Sequence, residues 1–458
     1  METVPQSDAQ PPDPIIAVRL GIAPPWRLTL SAAGTIDGDP LPSGTYEVHW
    51  NGGVRLCGMG TNAAVSRLDP AAMSVWCPAP CDLNGHHFRG ILTFRRWSVL
   101  NRLDLEDYLR GVVGQEIGPS AEMEALKAQA VVARTYVLAH LGSEVPDNTT
   151  FQVYRGVDAE TPAVNAAVEA TAGQVLTWHG RLARYVCYHS TCGGYTEANE
   201  NVFMTRPVPY LRSVPCVIPS TVANTGDASG ATADGSASQP VPVPEATMEE
   251  VAPGIVAAPR FSTSRGSSGA AAGPSPARVE PLNGSPTGTT GTSLAPACLP
   301  TPLSGELAAL SIPAGSAPPE PAWRHRSPLP AGAVACSRSP WAHWVIRWPV
   351  AHVPVVRILR RSPAGRVVEV MVRGHRVWGD DIRRALRFRD VNGKLSSLPS
   401  TMFTMRREGD EIVVCGRGWG HGVGLCQWGA RGMARAGVGY AAILAHYFPG
   451  TVLSAISQ

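Results

Sequence analysis

From Gly416 to Gly432 the chain reads GRGWGHGVGLCQWGARG, with a glycine at every second position through Gly424. Arg417, Trp419, His421 and Val423 stand between those glycines, and Gln427 and Trp428 follow. A run of glycines gives up chain entropy and needs a structural reason. If the segment is extended, alternate side chains share one face, and the glycines let a strand or a flat ligand approach closely. A guanidinium, an indole, an imidazole and an amide on such a face can bind a ligand by hydrogen bonds and ring stacking. On residue types alone, a glycine-rich hairpin against the core stays open. The spacing fits neither a dinucleotide fingerprint nor a phosphate-binding loop, since no Gly-Lys-Ser/Thr follows.

A second cluster, YHSTCGG, sets His189 three residues before Cys192, a short-range metal spacing. Further thiolates are available from Cys216 in SVPC and Cys336 in CSRSPW, with 119 residues between them. One ion shared by His189, Cys192, Cys216 and Cys336 would be a closed, structural Cys3His zinc site. It would tie together both ends of the intervening segment, whose closure cost grows only slowly with length. A Cys216–Cys336 disulfide and plain buried thiols are the alternatives. Cys187 competes as a ligand, while Cys57, Cys77 and Cys81 form a local bridge or nothing. A Cys192–His189 nucleophilic pair is disfavoured, because closeness in sequence is a poor guide to a catalytic pair.

These residues need elements to position them. The 458 residues are 44% hydrophobic and 16% charged, with a net charge of +3. That is enough for a real core and argues against a nucleic-acid partner or a polybasic membrane anchor. No apolar run is long enough to be a transmembrane segment, and the polar, proline-rich start shows no signal-peptide pattern. Residues 1–14 are expected to be disordered. From 217 to 335 the chain is rich in Pro, Ala, Gly and Ser, with Phe261 and Trp323 its only aromatic residues. Such a segment cannot bury enough apolar surface to become ordered. Residues 15–216 and 336–458 then form the two parts of one folded unit interrupted by a disordered insertion. Short β-rich runs with Gly/Pro turns predict a β-dominated α+β fold.

One helix stands out, PSAEMEALKAQAVVARTYVLAH. Ser120 is its expected N-cap, with Glu122 and Glu124 in the first turn. Leu126, Ala130, Ala133 and Val137 make an apolar stripe. Lys127 and Arg134 lie two turns apart on another side, where both could face one groove; composition alone makes them solvated.

Several blocks taken in order, LDLEDYLRGVVGQEIGPSAEMEALKAQAVVARTYVLAH, YVCYHSTCGGYTEANENVF, PYLRSVPC and GRGWGHGVGLCQWGARGMARAGVGYAAILAHYFPGT, resemble the stage II sporulation protein D (SpoIID/LytB) family. Members of that family are similar to lytic transglycosylases of bacterial cell-wall glycan strands, and some were first described as amidase enhancers. The resemblance implies a glycan groove and puts the catalytic acid on Glu116, supported by Arg134. Lys127, Ser190, Trp419, His421, Gln427 and Trp428 would bind substrate. Where the family usually has a serine-like residue and a tyrosine around the glutamine, this chain has Cys426 and Trp428. Zinc-bearing members are similar around YHSTCGG; no organic cofactor is implied.

A lyase of this kind needs one carboxyl group, unlike an ordinary glycosidase with two. Glu116 must therefore be desolvated enough to hold a proton near working pH. Asp104, Glu106 and Asp107 are possible second carboxylates, although a short solvated helix face accounts for them. The partners expected are peptidoglycan glycan strands and a cell-wall amidase. The setting expected from that substrate is the cell envelope, outside the cytoplasm. A wall-binding protein without activity, which enhances a partner amidase, is the rival function.

Overall fold

The computed structural model describes residues 14–218, 334–350, 355–389 and 395–456. The disorder expected for the N-terminus and for the insertion concerns residues that, apart from 14, 217, 218, 334 and 335, lie outside the described ones.

The architecture is mixed and strand-rich. Ile15 to Asp104 builds two antiparallel β layers. In the first, Ile15–Leu20 buries Ile16, Val18 and Leu20 on one face and pairs with Ser98–Asp104, Val18 opposite Asn101. In the second, Trp26–Leu30 buries Trp26, Leu28 and Leu30 and pairs with Gly44–Trp50. The period-two alternation turns these faces toward each other into a common core.

Strand Ser98–Asp104 runs straight into helix α1, Leu105–Arg110, followed by the short α2, Val113–Ile117, and the long α3, Met123–Leu138. The α3 N-cap is Glu122 and not Ser120, because Gly118, at φ 91°, turns the chain and Glu122 keeps an extended backbone before the first helical residue. The stripe Leu126, Ala130, Ala133 and Val137 is buried as expected. However, α3 is buried nearly all round. Helices Pro162–Glu169, Gln427–Arg435 and Tyr440–Tyr447 pack on it together with strand Gln174–Trp178. It is the hub of the core that both parts of the chain share, and not an amphipathic surface helix.

Strands Trp344–Pro349, Glu411–Gly416 and Phe403–Glu408 form one three-stranded sheet, and Val356–Arg361, Val367–Val372 and His375–Trp378 another. They enclose a second core of Trp344, Ile346, Trp348, Val370, Phe403 and Val414. The two halves of the chain nevertheless interlock. Val452–Ala455 pairs with Gln174–Trp178, and Leu425–Cys426 lies parallel to Tyr188–His189. Arg366 donates to the Cys192 carbonyl at 2.8 Å, and the Ser362 hydroxyl bonds the buried Glu197 carboxylate. No helix of the described residues is long and apolar enough to cross a membrane.

Candidate functional site

Glu116 sits at the end of α2, inside a cage of tyrosines. Its carboxylate accepts a 2.7 Å hydrogen bond from the Val153 N–H and one from the Tyr188 hydroxyl. Behind it, the Tyr108 hydroxyl donates to Gln152 Oε1 at 3.0 Å, and Gln152 Nε2 donates to Tyr188 Oη at 3.3 Å. Because Gln152 supplies a donor to Tyr188, the phenolic proton is free to point at Glu116. The residue keeps some surface, while its carboxyl is enclosed. Burial pushes its pKa up to about 7, against the pull of the Val153 and Tyr188 hydrogen bonds. All the groups acting on it are neutral.

Arg134 lies elsewhere. It is fully buried, and its guanidinium holds the Glu106 carboxylate through both oxygens, at 2.8 and 2.6 Å. Its remaining contacts are the carbonyls of Gln174, at 3.1 Å, and Val168, at 3.4 Å. The solvated face expected for Glu106 is thus replaced by an internal ion pair, which fastens α1 to α3. Lys127 bonds Glu124 at 2.8 Å and stands over the Tyr440 ring, so the two cations of the helix do not share a groove.

The glycine-rich segment is not extended. Gly418, Gly420, Gly422 and Gly424 all have positive φ, from 73° to 100°, so Arg417, Trp419, His421 and Val423 do not line one face. A side chain on Gly418 would reach within 2.6 Å of the Thr191 carbonyl oxygen, and one on Gly424 within 2.1 Å of that of Cys187. Glycine here admits the chain's own backbone, not a sugar ring. Thr191 and Trp419 exchange backbone hydrogen bonds, and Leu425 donates to Cys187, so the segment is laced along 187–192. Trp419, half-buried, rests on Trp341 with ring centroids 3.9 Å apart.

His421 donates from Nε2 to the Tyr188 carbonyl at 2.9 Å and accepts at Nδ1 from the Val423 N–H at 3.1 Å. Both ring nitrogens are thereby committed, and burial pushes its pKa down to about 4, leaving it neutral. It steadies Tyr188, the residue that touches Glu116. Gln427 donates to Gln129 at 3.3 Å. Trp428, half-buried, carries Arg431 over its ring at 4.8 Å and donates its backbone N–H to the Ser190 carbonyl. The half-buried Ser190 hydroxyl lies 3.4 Å from that of Thr191.

The thiols converge where the sequence placed three of them, but the fourth ligand differs. Cys192, Cys216, Cys336 and Cys426 are buried, with their sulfurs all within 4.8 Å of one another. His189 stands apart: Nδ1 donates to the Val423 carbonyl at 3.0 Å, and Nε2 is buried without a partner. The parallel pairing of His189 with Cys426 puts the two side by side in sequence register, and it is the cysteine that enters the cluster. The Cys192 and Cys336 sulfurs are 3.7 Å apart, far beyond a disulfide bond. Tetrahedral thiolates on zinc, with bonds of about 2.3 Å, have sulfurs about 3.8 Å apart. Backbone N–H groups of Cys192 and Gly429 each reach Cys426 Sγ at 3.3 Å, and that of Gly194 reaches Cys192 Sγ at 3.3 Å. Such donors favour thiolates over thiols. The donor set fits zinc.

Sequence reasoning missed Cys426, Tyr188 and Gln152. Cys426 was visible only as a departure from a familial serine, and no local pattern marks the other two.

Comparison with known proteins places these groups in context. Residues 94–178, which include Glu116, Lys127 and Arg134, match a family described as stage II sporulation protein. Residues 346–424 match a domain of unknown function. An uncharacterized protein of Brachyspira hyodysenteriae is 27% identical over 380 residues, spanning 80% of this chain and 72% of that protein. The stage II sporulation protein D of Bacillus subtilis is 24% identical over 376 residues, 78% of this chain and 76% of that one. The amidase enhancer of Bacillus subtilis is 48% identical over 103 residues, which is 22% of this chain and 14% of that protein.

Proposed function

The chain belongs to the SpoIID/LytB family, and from that premise we propose that it is a lytic transglycosylase of peptidoglycan glycan strands working with Glu116 alone as acid and base. The observation that carries this reading is the enclosed carboxyl of Glu116, pushed up to about 7 and hydrogen-bonded only by neutral groups. Near neutral pH such a group is divided between its two forms, which suits a residue that must first give and then take a proton.

The protonated carboxyl donates to the bridging oxygen as the bond from the muramic acid C1 to that oxygen breaks, and N-acetylglucosamine leaves as an alcohol. The resulting carboxylate removes the proton from the muramic acid's primary hydroxyl, whose oxygen closes on C1 to form the anhydro ring. No water is consumed. Val153 N–H and Tyr188 Oη steady the carboxylate between the two steps. Ser190, Trp419, Gln427, Trp428 and Lys127 are the proposed walls of the glycan groove. His421 serves by fixing the Tyr188 backbone, and Arg134 by anchoring α1, which leads into the Glu116 turn.

Cys192, Cys216, Cys336 and Cys426 would hold a structural zinc ion, which brings no step of the reaction but cross-links the chain on either side of residues 217–335. An envelope setting follows from the substrate.

The similarity to an amidase enhancer favours a second reading, in which the chain binds wall glycan and activates a partner amidase without cutting. Incubating the purified chain with glycan strands lacking stem peptides, followed by mass spectrometry for anhydro-muramic ends, separates the two. Anhydro ends from the unmodified chain and none from Glu116→Gln are expected. Binding without any such ends would favour the enhancer.

A further inference from the structure

The two ends of the charge distribution differ. Residues 346–424 carry fifteen Arg and Lys against seven Asp and Glu, a net +8, so the remainder of the +3 chain is net −5. Part of this charge collects on one sheet face. In the sheet of Val356–Arg361, Val367–Val372 and His375–Trp378, the side holding Val356, Ile358, Val370 and Val377 packs on the second core. The opposite side is defined by register: Arg357 faces Met371, which faces Arg376, and Glu369 faces Trp378.

Arg360 and Arg376 flank the single carboxylate there, Glu369, at 3.8 and 3.0 Å. Arg376 also stands over the Trp378 ring at 6.0 Å. Arg357, and Arg373 in the adjoining turn, are exposed and have no ion pair among the described residues. One carboxylate thus answers four guanidinium groups. Cα atoms of Arg357 and Arg376, two strand spacings apart, lie about 10 Å from each other.

We propose that this sheet face is a docking surface for a linear phosphodiester polymer of the cell wall, one with a charge on every repeat and no bases. Guanidinium groups bind phosphate oxygens through paired N–H donors, and a row of cations suits a repeating anion better than a single carboxylate. With Trp378 as the only aromatic side chain on the face among the described residues, those residues lack the series of rings on which single-stranded nucleic acid stacks. The surface is distinct from the Glu116 site, and its role would be to hold the protein on the wall whether or not Glu116 cuts glycan.

The test uses the full chain and poly(glycerol phosphate), with affinity measured by calorimetry at about 0.05 and 0.2 M salt. Binding that weakens with salt is expected. The Arg357→Glu, Arg373→Glu double variant, which breaks no ion pair of the described residues, should lose affinity about tenfold or more, whereas Arg27→Glu on strand Trp26–Leu30 should not. Glu116→Gln should bind as the unmodified chain does, and the double variant should cut short soluble glycan as the unmodified chain does, so failure here is distinct from failure of the proposed activity. Equal affinity of the double variant, binding insensitive to salt, or tighter binding of single-stranded RNA than of the polymer would overturn the proposal.

Discussion

A carboxyl group placed among tyrosines takes its acidity from what it loses, namely water, and from the few donors it keeps. Glu116 keeps two, Val153 N–H and Tyr188 Oη, and both lower a pKa that burial has raised to about 7. Removing either must raise it further. In Tyr188→Phe the carboxylate loses one donor while the ring still fills its space, so the alkaline limb of the pH–rate profile should move up by about one unit, the worth of a hydrogen bond to a charged group. Tyr108 and Tyr136 also feel the Glu116 charge, both with pKa values raised mainly by burial, so they stay neutral across that range. A Tyr188→Phe variant with reduced rate and an unmoved limb would show that the phenol does not act through Glu116. Tyr108→Phe, two hydrogen bonds further away through Gln152, should shift it less.

Among the elements, α3 carries the family's motif, yet its two cations, Lys127 and Arg134, do not face one groove. Arg134 leaves that helix to meet Glu106 on α1, and both sit where water is scarce. Breaking such a pair strands a buried charge, whereas removing both partners does not. Arg134→Met is therefore expected to destabilise the protein by about 3–5 kcal/mol in denaturant unfolding. Adding Glu106→Met should restore most of that stability and much of the activity with it. If the double variant folds as well as the unmodified chain and still makes no anhydro ends, Arg134 acts on the substrate directly. The stripe Leu126, Ala130, Ala133 and Val137 could be read from sequence because it repeats with the helix. The fate of Arg134 could not, since its partner stands 28 residues away on another helix. The glycine-rich segment misled for a related reason. Alternation suggests a strand, but four positive φ values in a row of alternate residues coil it along 187–192.

At the scale of the whole molecule, four sulfurs from four separate stretches meet in one place. The unmodified chain is expected to carry one zinc ion by elemental analysis. Cys426→Ser should lose it and His189→Ala should retain it, and stripping the metal should lower Tm by about 10 °C or more. Metal lost from His189→Ala but kept in Cys426→Ser would restore the histidine to the site. Sequence by itself determined the parts with a short-range signature: the family blocks, the apolar stripe of α3, three of the four thiols, and the basic excess of residues 346–424. Only the tertiary structure decided that Cys426 completes the cluster, that Tyr188 touches Glu116, and that Arg134 is spent on Glu106. The reason is physical. Periodicity and turn chemistry act over a few residues, while a side chain's partner is chosen by which distant surfaces pack together once water has been expelled between them.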